Sequence, residues 1–112
     1  TDGTEKREFL YAEDCCEALE KVMEEYETLD SDDNLHITSF DSTTILDIAN
    51  IIRQLFLSDR KIVQLIPSES KDEVQKDARN EADPYILKLW KPKTPIRDGI
   101  KKVFEEMKND WV

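Results

Sequence analysis

Between Ala12 and Tyr26 the apolar side chains fall at three- and four-residue steps: Ala12, Cys15, Cys16, Leu19, Val22, Met23 and Tyr26. That spacing predicts an amphipathic helix. Glu13 and Asp14 occupy its first turn, where the helix dipole favours negative charge. Phe9-Leu10-Tyr11, just before it, is a short β-prone run, and the polar residues Thr1 to Arg7 read as a connector. Asp30-Ser31-Asp32-Asp33 ends the helix as a loop. Alternation over Asn34 to Phe40 then predicts a strand. Thr44 followed by Asp47 has the spacing of a capping box, with Asp in the place of the usual Glu or Gln. The helix it opens buries Ile45, Ile48, Ala49, Ile51, Ile52, Leu55 and Phe56.

Ile62 to Ile66 predicts a further short strand ended by Pro67, and Ser68 to Ala82 carries many charges and few apolar residues, as an exposed loop does. Asp83-Pro84 and Thr94-Pro95 are helix starts, because proline suits the first helical position. The first opens one or two turns to Trp90. The second opens a last helix with Ile96, Ile100, Val103, Phe104 and Met107 on its apolar face. The expected fold class is α/β: a small, three-layer-like lobe of about three short strands and three to four helices, forming a single domain over residues 1–112.

The chain has 112 residues and a net charge of −10, with 16 basic and 26 acidic side chains. Such a balance repels phosphate backbones and anionic bilayers, so neither nucleic acid nor a membrane is an expected partner. No apolar run reaches the roughly 18 residues of a membrane span, and no signal peptide opens the chain. The only cysteines, Cys15 and Cys16, are adjacent, which rules out an ordinary disulfide framework and points to buried, inert packing. The expected location is cytoplasmic.

Several chemistries lack their residues. With two glycines, Gly3 and Gly99, there is no phosphate-cradling loop. A serine–histidine–acid triad needs a histidine, and the only one, His36, reads as an ordinary surface or half-buried strand residue; with the adjacent Cys15 and Cys16 it gives too few spaced ligands for a zinc site. Asp30 to Asn34 begins like a calcium loop, but Leu35 replaces the needed glycine and Asp41 the closing glutamate. No metal site is expected. The carboxylates between Glu20 and Asp33 read as a solvated face.

Four ordered segments carry a resemblance. Arg7-Glu8-Phe9-Leu10-Tyr11-Ala12-Glu13-Asp14, followed by Ala18-Leu19, resembles the R-x-F-V/L-Y/H-V-x-D segment of the extended short-chain dehydrogenase/reductases, the nucleotide-sugar epimerases and dehydratases. Gly3 fits part of that family's glycine-bearing lead-in. Leu35-His36-Ile37-Thr38 stands where the family has Y-N-I-G, and Thr44 to Ala49 is similar to its S-I/L-x-E-I/L-A helix start. Trp90 to Ile100 is similar to its G-W-x-P-x-x-x-L/I-x-x-G-L/I tail. The resemblance covers nearly the whole chain.

The resemblance implies a C-terminal, substrate-binding lobe that positions a nucleotide-linked sugar. The family's NAD(P)-binding Rossmann half and its Y-x-x-x-K catalytic pair would lie on absent N-terminal polypeptide, making this chain a fragment. It would therefore hold no catalytic residue and bind no cofactor itself. NAD or NADP would belong to the parent enzyme, and a homodimeric parent is left open. A diphosphate calls for a planar, always-charged donor fork. The resemblance gives that role to Arg7, with Tyr11 lining the cleft or packing in the core. Where the family has R-P-G-D, this chain has Glu69 to Val74 with Ser70 in the arginine's position, which leaves Lys71 or Arg79 as the substitute cation. The competing expectation is a non-catalytic acidic protein-interaction module derived from the same lobe. Docking of a missing half would also leave an exposed apolar patch.

Overall fold

The computed structural model describes residues 2–30, 32, 34–62, 81–108 and 110. Strand β1 (Lys6–Glu8) pairs antiparallel with β2 (Ser42–Thr44), setting Lys6 against Thr44, Arg7 against Thr43 and Glu8 against Ser42. Three α-helices accompany this ribbon among the described residues: α1 (Ala12–Glu24), α2 (Ile45–Phe56) and α3 (Ile96–Met107). Short 3-10 turns span Tyr26–Thr28 and Pro84–Lys88. The α/β class is as the sequence predicts.

The start of α2 explains why the polar N-terminal stretch is ordered. A helix leaves its first backbone N–H groups without partners. Here Ile45 N donates to the Glu5 carbonyl (3.2 Å), Leu46 N to the Gly3 carbonyl (2.9 Å) and Asp47 N to the Thr44 hydroxyl (3.0 Å). The Asp47 carboxylate accepts in return from Thr44 N, completing the capping box. Gly3, at φ +84°, brings its backbone against Leu46, where a side chain would be strained as well as crowded.

Several sequence expectations move. The strand lies at Lys6–Glu8 rather than at Phe9–Tyr11, overlapping the end of the stretch read as a connector. Its partner is Ser42–Thr44, while Asn34 to Phe40 is irregular. Phe40 sits at φ 56°, in the left-handed region, so an extended run ends there. The Ser39 hydroxyl accepts from Asp41 N (3.3 Å) and makes the reversal local. Of the predicted Ile62–Ile66 strand, Ile62 is outside any strand and 63–66 fall beyond the described residues, as do 68–80 of the predicted loop. Helix α1 stops at Glu24, and Leu19 and Met23 within it and Tyr26 beyond it, all placed on its apolar stripe by the sequence, are exposed. Cys15 is half-buried, but Cys16 is exposed, against the expectation of two buried thiols. Pro95, not Thr94, caps α3, because Thr94 is engaged elsewhere.

The core is small. Ala18, Ile86 and Trp90 are buried, with Leu10, Val22, Leu35, Ile37 and Phe40 packed around them. It joins α1, the 35–40 segment and the Pro84 turn. Helices α2 and α3 meet separately, through Phe56 and Phe104 stacked at 3.7 Å and Arg97 donating to the Gln54 side chain (3.0 Å).

Candidate functional site

Asp14 organises the centre of the molecule. It is buried (5% exposed) and its carboxylate accepts from Lys93 N (3.0 Å), Thr94 N (2.8 Å) and the Thr94 hydroxyl (3.1 Å). A carboxylate gathering donors this way is held by charge-assisted bonds and fixes the chain that supplies them. Beside it, Lys93 Nζ reaches Glu17 at 2.8 Å, and this contact raises the ammonium's pKa above its ordinary value. Together these bonds tie the entry of α3 to the first turns of α1. The sequence places Asp14 in a favourable dipole position, but its partner, some eighty residues away, has no local signature.

Tyr11 precedes α1 and leans on the back of α3, near Gly99 and Thr94. Its hydroxyl donates to Glu106 (3.4 Å) and Lys102 Nζ lies 5.4 Å from its ring centre. Desolvation first, and then the nearby Glu106 and Glu13 carboxylates, push its pKa up. The phenol therefore stays protonated at neutral pH and serves as a hydrogen-bond donor.

Two hollows flank this junction. The larger, about 430 Å³, is an apolar cleft between α2 and α3, with Tyr11, Ile48, Ile52, Phe56, Ile100 and Phe104 among its walls. Ile45, Ile52, Val103 and Met107 are partly exposed on these helices, which corrects the expectation that Ile45 and Ile52 are buried. The smaller, about 250 Å³, lies between the 39–43 and 92–96 segments and is lined by Phe9, Ser39, Asp41, Thr43, Pro92, Lys93, Thr94, Pro95 and Ile96.

Tyr11 lines the apolar cleft between α2 and α3. Arg7 lies exposed on β1, with Nη1 donating to the Lys6 carbonyl (2.8 Å), and lines neither hollow. It shares a register position with Thr43, which does line the smaller one. The two candidates are thus not gathered in one pocket. Lys71 and Arg79 lie outside the described residues. His36 acts locally: its Nδ1 accepts from Asp83 N (2.8 Å), while the Asp83 side chain caps the Pro84 turn through Tyr85 N. Among the described residues no three His, Cys, Asp or Glu side chains gather as a metal site. Glu5 Oε2 and Trp90 Nε1 are buried without hydrogen-bond partners, but neither residue borders a described hollow.

A dinucleotide cradle does not fit these residues. Gly3 lies against Leu46, and Gly99 is inside α3 facing Tyr11 and Thr94, so neither opens a strand-to-helix phosphate loop. No helix among the described residues is long and apolar enough to cross a membrane.

No protein-family model matches the chain. Over 105 residues it is 27% identical to GDP-L-fucose synthase of Sinorhizobium fredii (strain NBRC 101917 / NGR234), a match covering 92% of this chain and 31% of that protein. The chain therefore spans about a third of the length of the curated relative it matches. That similarity is a distant link to the family whose motifs the sequence resembles.

Proposed function

We propose that this chain is the substrate-binding portion of an NAD(P)-dependent epimerase or dehydratase acting on a nucleotide-linked sugar. The supporting observation is the similarity to GDP-L-fucose synthase over 92% of the chain. Its name makes a GDP-linked sugar the first substrate to try. Arg7 meets the diphosphate as a fixed, exposed positive fork on β1. Lys71 and Arg79 are the proposed further cations. Tyr11, held protonated, donates or packs and does not act as the base. In this reading NAD or NADP binds to other polypeptide, and hydride chemistry takes place there. This portion contributes grip and specificity, which count toward rate when they hold the sugar in its reactive pose.

The test is calorimetric titration of the full gene product with GDP-, UDP- and dTDP-sugars. Saturable binding is expected, weakened roughly tenfold or more by Arg7→Ala, since a charge-assisted contact is worth about 1.5–3 kcal/mol. Silence across the panel overturns the reading and leaves the acidic interaction module in its place.

A further inference from the structure

Helix α1 carries an apolar face that its own core does not use. The helix packs inward through Ala18 and Val22. Cys16, Leu19 and Met23, together with Tyr26 in the turn behind, stay exposed. Met23 (78%), Tyr26 (75%) and Leu19 (50%) are the most exposed large hydrophobic side chains among the described residues. At ~3.6 residues per turn, Ala12, Cys16, Leu19 and Met23 fall within roughly 60° of the helix circumference, so they form one continuous stripe. Single exposed apolar side chains are ordinary, whereas a contiguous stripe marks an interaction surface. Methionine adapts to irregular apolar partners, and tyrosine is enriched where proteins bind one another.

Charge decides the chemistry of the partner. Glu13, Glu20 and Glu24 follow the stripe about a quarter turn to one side, and Glu27 continues the row past the helix end. All four are exposed. Lys21, the only cation on α1, reaches Glu24 at 3.4 Å. Glu20 and Glu27 take part in no ion pair among the described residues. Two copies of this face would set carboxylate rows together with no spare cation, which disfavours pairing of α1 with α1. Anionic bilayers and polynucleotides are repelled for the same reason. A cationic flank on the partner satisfies the row.

We infer that α1 is a docking face for an amphipathic helix of another protein, with apolar side chains at three- and four-residue steps and Lys or Arg along one flank. Leu19, Met23 and Tyr26 make the apolar contact. The glutamate row sets register and selects the partner. This face uses neither Arg7 nor Tyr11 and does not rest on the nucleotide-sugar reading.

The test uses the full gene product and designed helical peptides: a leucine stripe flanked by lysines, the same stripe flanked by glutamates, and the lysine peptide with its leucines changed to serine. Binding is measured by calorimetry at low and physiological ionic strength. Saturable binding of the leucine–lysine peptide alone is expected, weaker as salt rises. Leu19 and Met23 are exposed, so Leu19→Ser/Met23→Ser is expected to keep the native circular dichroism spectrum and to weaken binding roughly tenfold or more, through two lost apolar contacts. Glu20→Lys/Glu27→Lys is expected to shift the preference toward the glutamate-flanked peptide. Absence of binding, equal binding of the serine peptide, or unchanged affinity in Leu19→Ser/Met23→Ser overturns the docking face. Maleimide labelling of Cys16, located by mass spectrometry, checks for other occupants. Fast labelling that the leucine–lysine peptide slows is the expected result. A Cys16 that resists labelling without peptide is covered by the gene product's own polypeptide, and a dimer lost in Leu19→Ser/Met23→Ser puts a second copy there; either outcome overturns the assignment to another protein. None of these results bears on nucleotide-sugar binding.

Discussion

Asp14 shows how one side chain connects distant parts of this chain. It accepts three hydrogen bonds while buried, and the donors are the backbone and hydroxyl of the two residues that lead toward α3. Asp14→Ala would leave two backbone N–H groups without their acceptor, and unsatisfied buried donors cost more than the lost bonds alone. The expected loss is roughly 2–4 kcal/mol of stability, read by urea denaturation, with Asp14→Asn losing less because an amide oxygen still accepts. Equal stability of Asp14→Ala and the native chain would dismiss the latch. Sequence shows an acidic residue in a first turn and nothing more. The same limit applies to Arg7 and Tyr11: the motif names both, but the ribbon register and the packing on α3 separate them.

Among the elements, α2 was the most legible, because its cap is local: Thr44 and Asp47 face each other three residues apart. What the local pattern hides is that backbone carbonyls of Gly3 and Glu5 complete the same helix start. For that reason β1 forms in a polar stretch with no β signal, while the better β-former Phe9–Tyr11 is left outside the ribbon. Asn34–Phe40 failed for the opposite reason, since alternation was present but the Ser39 turn and left-handed Phe40 broke it. Helix α3 offers a check on packing. A methyl group at Gly99 would lie 3.6 Å from both Tyr11 and Thr94, an ordinary contact. Gly99→Ala is therefore expected to stabilise the chain by roughly 0.5–1 kcal/mol through the helix-entropy term, seen as a higher Tm. A lower Tm would mean that Tyr11 cannot yield that space.

For the molecule as a whole, charge sets the pH range in which the parts stay docked. Lys93, held by Glu17, and Tyr11, desolvated and close to Glu106, both have raised pKa values. A raised value means that the folded state retains its proton longer, so the contribution is complete below the ordinary value and is lost as pH rises through the folded one. Both groups tie α1 to the α3 region, so stability is expected to fall as pH climbs past about 10. Glu105, lowered by Lys108, acts at the other end: its contribution is present above the ordinary carboxylate range and lost as pH falls below it. Both flanks involve exposed groups and are expected to shrink in high salt. Thermal melts across pH, compared with a Lys93→Met/Tyr11→Phe double variant, check the alkaline flank. An equally steep loss in that variant would assign it to other groups.

The sequence by itself determined the α/β class, the three helices, the cap of α2 and the start of the Pro84 turn, because each rests on periodicity or on residues within one turn of one another. It also excluded a glycine-rich phosphate loop, since two glycines are too few. Only the tertiary structure decided which short segments pair as strands, that Asp14 ties α1 to the entry of α3, and that Phe9 and Asp41 share a hollow. A three-residue strand has too little propensity to place itself. Its position, like those of the latch and the hollow, is set by partners remote in sequence, whose spacing leaves no periodic trace.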